Sequence, residues 1–263
     1  MFQLRTLAAA VAGVLTLGPS AQPAAAQTDF HNLDKGRPLR VEDAYAAKRG
    51  AFELQASPLT VAGRAEGEMV FFPSVELKYG FLPGMEFSAG VEGEFPRRPG
   101  DGRSASAEAE FSVLANLWVE SHHLPAAALR FTTHLPTAVD HGTSAEFRGI
   151  LTRWLAGPVR WHLNGALVVG EGRRERWWGG GALDWVFPFH HTLALAEVWV
   201  AEGVEGERRI HSAMGVRLQA TPTLVLDAGM GRSWRGESWE DWAGTLGITH
   251  EFGVRRLLPG GNP

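Results

Sequence analysis

The sequence predicts an all-β fold, a transmembrane up-and-down antiparallel β-barrel of about 12 strands with short periplasmic turns and longer extracellular loops. Three observations carry this: apolar and polar residues alternate with a period of two, the connections alternate in length, and tryptophans collect toward the strand ends. The composition agrees. The chain has 263 residues, 44% hydrophobic and 21% charged, with 32 Gly, 10 Trp and no Cys. That apolar fraction excludes a disordered chain, and the missing cysteine excludes disulfides, thiolate-held metals and thiol catalysis. A formal charge of -4 argues against nucleic acid as a partner.

The first element is an address. Arg5 precedes an apolar run from Leu7 to Leu17, then Pro19 and Ala24-Ala25-Ala26, so residues 1–26 read as a signal peptide cleaved before Gln27. The run is too short for a membrane helix, and no later stretch is long enough, so crossing a membrane requires strands. Residues 27–48 are polar and lack the strand period. They form a leading segment, expected in the periplasm or as a plug in the barrel. Residues 49–252 then make the barrel, and 253–263 a C-terminal tail.

Within the barrel, Met85, Phe87, Ala89, Val91 and Phe95 alternate with Glu86, Ser88, Gly90, Glu92 and Glu94, which gives one apolar face and one ionised face. Ala107–Glu120, Ala127–Leu135, Val159–Val169 and Ala213–Ala220 repeat the pattern. Twelve such stretches centre near Gln55, Val75, Ala89, Val113, Phe131, Leu151, Leu163, Leu183, Ala196, Val216, Leu226 and Leu246. Tyr79–Gly84, Ala156–Pro158, Pro188–His191 and Thr221-Pro222 are short turns. Pro96–Ala105, Pro136–Ser144, Gly170–Arg176, Glu202–Arg208 and Trp234–Ser238 are the longer polar connections. On this layout Trp118, Trp154, Trp161, Trp185, Phe187 and Phe252 form an inner girdle, and Trp177, Trp178, Trp199, Trp234, Trp239 and Trp242 an outer one. The competing fold is a soluble sandwich or calyx, which does not sort tryptophans by depth.

Charge is costly on a lipid-facing wall, so the ionised face is expected to line the lumen and any solute pathway. It supplies Glu76, Glu86, Glu92, Glu94, Glu108 and Glu110 from the early strands. Arg130, His134, Arg148, Arg160, His162, Asp184, Glu197, Arg217 and Asp227 come from the later ones. The leading segment brings Asp34, Pro38, Glu42, Asp43 and Tyr45 as plug residues, with arginines inside as partners for its acids. No catalytic residue is expected: His211-Ser212 point to opposite faces, and His134 and His162 have no inward serine at matching depth. No metal site or cofactor is expected either, because His122-His123 and His190-His191 lie in separate turns.

Two stretches resemble known patterns. Thr245–Phe252 is similar to the terminal assembly signal of outer-membrane proteins, with His250 departing from it. Asn32-Leu33-Asp34-Lys35-Gly36-Arg37-Pro38-Leu39-Arg40-Val41-Glu42-Asp43-Ala44-Tyr45, followed by Glu53-Leu54-Gln55, resembles the opening of the MetA-pathway phenol-degradation family of outer-membrane transporter barrels. The departures from that opening are at Lys35 and Ala46. The resemblance implies a porin-like barrel of the Gram-negative envelope, in contact with outer-membrane lipid, that transports a small aromatic or hydrophobic solute. The alternatives are a structural or interaction barrel with a closed lumen and, behind that, a lipid-acting barrel enzyme.

Overall fold

The computed structural model describes residues 31–64, 69–97, 105–136, 142–171, 175–187, 191–235 and 238–253. The expected signal peptide and nearly all of the tail lie outside them, as does the side chain of Trp239. The strands are β1 (Ala51–Arg64), β2 (Met69–Phe71), β3 (Ser74–Leu82), β4 (Met85–Arg97), β5 (Ser106–Trp118), β6 (Ala126–Pro136) and β7 (Ser144–Ala156). They continue with β8 (Val159–Gly170), β9 (Glu175–Phe187), β10 (Thr192–Gly203), β11 (Arg208–Thr221), β12 (Leu224–Arg235) and β13 (Ser238–Gly253).

Every pairing is antiparallel between chain neighbours, and β13 returns to pair with β1, which closes the sheet. The short β2 and β3 both lie between β1 and β4, so they are one strand interrupted at Phe72-Pro73, and the barrel has twelve strands. Pro73 has no N–H to give to a ladder, which explains the interruption. On β1 the register shifts between Ala56 and Leu59, where Ser57-Pro58 is inserted opposite β13. Tight turns at 83–84 and 157–158 rest on Gly84 (φ 71°) and Gly157 (φ 53°), a backbone region that side chains disfavour. The length contrast between the two ends is clear at 98–105 and 137–143. It fades at 119–125 and 236–237.

Burial is inverted relative to a soluble protein. On β6, Leu129 and Phe131 are 54% and 40% exposed, while Arg130 between them is 3% exposed. Leu117, Phe147, Leu163, Leu183, Val198 and Leu246 continue the exposed apolar belt around the outside. An outer surface this apolar, enclosing buried charge, is what a bilayer-facing barrel requires.

Two expectations about the wall are corrected. Trp178 and Trp199, assigned from sequence to the outer girdle, are 1% and 8% exposed and face the interior. The cause is parity: Trp178 shares a face with Ala182, Asp184 and Val186, and Trp199 with Leu193, Leu195, Glu197 and Ala201, all of them buried. The interior is therefore not ionised all round, because β9 and β10 present an inner wall that is apolar apart from Asp184 and Glu197. Trp118, Trp154, Trp185 and Trp242 do lie on the exposed side.

Candidate functional site: the barrel interior

Residues 31–50 run inside the strand wall as a loop that enters and leaves at the end carrying the short turns. The loop is tied across its base, where Asp43 N–H donates to Leu33 O (3.2 Å) and Leu33 N–H to Asp43 Oδ2 (3.1 Å). Gly50 N–H donates to Gly80 O at 2.7 Å. A Cβ at Gly80 would strike the backbone of Ala47 and Lys48, so glycine there lets the loop pass against β3. The apolar residues Leu33, Leu39 and Val41 pack with Ala166, Trp178, Val186, Leu193 and Leu195, using the apolar inner wall of β8–β10. Ala44 packs with Leu114, Ala128 and Ile150, and Tyr45 lies beside that group.

A non-repetitive backbone inside a barrel has no ladder, so its polar groups need side-chain partners. The wall supplies them in sequence. Glu197 Oε2 accepts from Arg40 N–H and Val41 N–H, both at 2.9 Å. Asn164 accepts from Glu42 N–H (3.1 Å) and donates to Glu42 O (2.9 Å). Thr152 Oγ1 accepts from Ala44 N–H at 3.0 Å, Asn116 donates to Ala44 O at 2.7 Å, and Glu86 Oε2 accepts from Ala47 N–H at 2.8 Å.

The charges of the loop are matched as well. Glu42 lies between Arg130 and Arg148, with Arg130 Nε at 3.0 Å and Arg148 Nη1 at 2.8 Å from Oε1, and Arg130 Nη2 at 2.9 Å from Oε2. Asp34 takes Lys78 at 2.7 Å and Arg217 at 2.8 Å. Burial works to raise the Asp34 carboxyl, but Lys78, Arg217 and Arg37 outweigh it and hold this carboxyl well below the usual range. Asp43 has Arg160 at 4.0 Å as its cationic partner among the described residues, and burial pushes its carboxyl up to about 7. Arg40 pairs with Glu175 at 2.6 Å and lies 4.2 and 4.5 Å from the ring centres of Trp178 and Trp199. Pro38 sits in a notch made by Gly215 and Gly229, where a Cβ on either would come within 2.6 Å of it.

The remaining residues selected from sequence divide into two groups. Asp184 binds Arg160 (2.6 Å) and His162 Nε2 (2.9 Å), and His162 Nδ1 meets Thr152 Oγ1 at 3.0 Å. This hydroxyl–imidazole–carboxylate chain is buried beneath Ala44, and it orients the hydroxyl that holds the loop. Asp227 lies 4.0 Å from Arg37, and Arg160 and Arg217 also donate to the carbonyls of His31 and Asn32. The second group lies toward β3–β6. Glu76 accepts from Ser88 at 2.6 Å, His134 lies 2.9 Å from Glu108 and 3.5 Å from Glu110, and Glu110 pairs with Lys35. Glu92 is exposed and Glu94 half-buried at the far end of β4.

Thr152, Asn116, Asn164, Glu146 and Glu175 were not among the residues selected from the sequence. The first three are uncharged, and selection by charge passes over them. Glu146 shares a face with Arg148, a signal that could have found it. Glu175 reaches the interior through the register shift at the start of β9, which no residue pattern announces. Beside the loop, at its entry, a cavity of about 340 Å³ is lined by Tyr45, Lys48, Glu53, Trp154, Arg160 and Glu251.

Solved structures share this architecture. KdgM porin in complex with disordered oligogalacturonate superposes with a TM-score of 0.56 at 11% identity, covering 76% of this chain and 98% of that one. The COG4313 outer membrane channel from Pseudomonas putida F1 gives 0.55 at 11%, covering 84% and 100%. NanC porin gives 0.55 at 9%, covering 75% and 98%. The fold is the outer-membrane barrel fold. No protein-family model and no curated protein sequence matches the chain.

Proposed function

We propose that the protein is an outer-membrane channel for small molecules, and that residues 31–50 close its lumen at rest. The observation that carries this reading is the loop itself: wall side chains from β3 to β13 converge on it, and its backbone has wall partners at Arg40, Val41, Glu42, Ala44 and Ala47. Twelve strands enclose a lumen wider than side chains alone fill and narrower than that of a sixteen-stranded porin. One chain segment is an obstruction of the right size. The wall residues Glu86, Arg130, Arg148, Glu197 and Arg217 then have two roles, holding the loop when it is seated and lining the pathway when it is displaced. The likeness to porins and channels supports this reading at the level of fold. The resemblance of Asn32–Tyr45 to its family opening points to a solute with an aromatic or hydrophobic body.

Deleting residues 29–46 from the full chain, keeping the signal peptide and β1, tests the reading. The deleted protein should still form a heat-modifiable barrel, and its conductance in planar bilayers should rise well above that of the full chain. Equal conductance of the two proteins would refute closure by the loop.

A further inference from the structure

Glu42 is held the way a receptor holds a free carboxylate. Arg130 faces it side-on, with Nε donating to Oε1 and Nη2 lying 2.9 Å from Oε2 as an ion pair, and Arg148 Nη1 is a second donor to Oε1. Both guanidiniums are anchored to the wall without it. Arg130 Nη1 donates to Ser112 Oγ at 2.7 Å and its Nη2 to Glu86 at 2.8 Å. Arg148 Nε and Nη2 donate to Glu146 at 2.9 and 2.6 Å, and its guanidinium lies 4.7 Å from the Trp178 ring centre. Glu86 and Glu146 balance the two cations, so the wall neither collapses nor carries excess charge when Glu42 leaves. What these two arginines lose is the acceptor of two N–H donors, Arg130 Nε and Arg148 Nη1, and the ion-pair partner of Arg130 Nη2. Guanidinium forks fixed in advance, beside an indole face, select a carboxylate over water and over neutral oxygen groups.

We propose that Arg130 and Arg148 form a binding site for the carboxylate of a small organic acid. Such a solute competes with Glu42 and, in doing so, unseats residues 31–50. The acid's apolar body takes the space of Val41 and Arg40 against Trp178 and Trp199, in the apolar group that those residues form on the inner wall. This inference rests on the loop closing the lumen and adds the solute class and the trigger. A ligand that binds only the unseated wall shifts the loop toward release. Because Glu42 is tethered, its effective concentration is on the order of millimolar or higher, so a free acid competes in that range.

The probe is butyrate, which matches glutamate from Cα to the carboxylate, with butyramide as its neutral counterpart and sodium chloride at equal ionic strength to account for screening. Trypsin cleavage after Lys35 or Arg40 in the refolded full chain reports unseating, and bilayer conductance reports opening. At about 50 mM, butyrate should raise both several-fold over chloride while butyramide does not. Glu42→Gln removes the competitor without touching the wall and should lower the half-effective butyrate concentration about tenfold, whereas Arg148→Gln should abolish the response. Equal effects of butyrate and chloride, or an unchanged half-effective concentration in Glu42→Gln, would overturn the proposal. If deletion of residues 29–46 raises conductance while butyrate and chloride act alike, the channel reading stands and the carboxylate site falls. If that deletion has no effect, both fall.

Discussion

Arg37 Nη1 donates to the backbone carbonyl of Ala56 at 2.8 Å, and the same nitrogen lies 3.2 Å from the carbonyl of Ile248. Ala56 and Ile248 are the last paired residues before the register of β1 on β13 shifts, so the guanidinium reaches carbonyls at the irregularity in the closing seam. Charge-assisted hydrogen bonds of this kind contribute roughly 1.5–3 kcal/mol where their loss strands buried acceptors. Arg37→Met should therefore lower the temperature at which the barrel unfolds in a gel-shift series. Arg37→Lys should recover part of the loss. A variant that unfolds at the parental temperature would show that the seam closes without this residue.

The notch beneath Pro38 gives a second test. A Cβ at Gly229 would lie 2.6 Å from Pro38 Cβ and 3.1 Å from its carbonyl oxygen, and its nearest wall atom is Met214 O at 3.2 Å. Gly229→Ala should thus overpack the loop by about 1–3 kcal/mol and leave the wall largely undisturbed. Expected are a higher conductance and faster proteolysis of the loop, with Pro38→Gly in the same chain reversing part of both. No change in conductance would mean that Pro38 can shift without unseating the loop.

Face identity on β4 should govern tolerance to charge. Val91 lies mid-strand on the exposed apolar side. Val91→Arg places a cation near the bilayer midplane, at a cost of roughly 2–4 kcal/mol, and should impair assembly. Glu92→Gln, one residue on and on the opposite face, should assemble normally. The reverse result would require the register of β4 to slip by one residue.

Asp43 gives seating of the loop a pH dependence with a definite sign. Its carboxyl accepts from Leu33 N–H and Tyr45 N–H, yet burial raises it from 3.8 to about 7. Between those values the seated loop holds a proton that the free loop releases, so seating weakens as pH rises through this window and levels off above it. Conductance should be higher at pH 8 than at pH 5, and Asp43→Asn should flatten that difference. An identical pH profile in wild type and variant would count against the role given to Asp43.

The barrel was legible in the sequence because its wall obeys a local rule. Leu129, Arg130 and Phe131 declare inside and outside in three residues, and that alternation recurs in strand after strand. The facing of Trp178 and Trp199 was not legible from residue type, because indole suits an interface and an interior equally; it was legible only through parity with Asp184 and Glu197, which the sequence already placed inward. The partners of the loop were less legible still. Glu42 meets Arg130 and Arg148 because three distant stretches reach one depth in the barrel, and depth depends on strand tilt and stagger rather than on any local spacing. Acids in the segment and arginines in the wall could be anticipated as classes of partner; the pairs themselves come from the closed geometry.

The loop precedes every strand in the chain, yet Arg37 can complete its contacts only once β13 has met β1. Arg37 reaches Thr249 across 212 residues of chain and Asp34 reaches Arg217 across 183, while Arg37 also bridges a seam that exists only once β13 has found β1. Contacts at such separation form late, because their loop-closure entropy is repaid only after the intervening chain is ordered. Closure of β1 on β13 spans a similar length of chain, so full seating of the loop is completed no earlier than closure of the barrel. A solute able to unseat the loop would thus undo contacts that belong to the last stage of folding while leaving the seam between β1 and β13 paired.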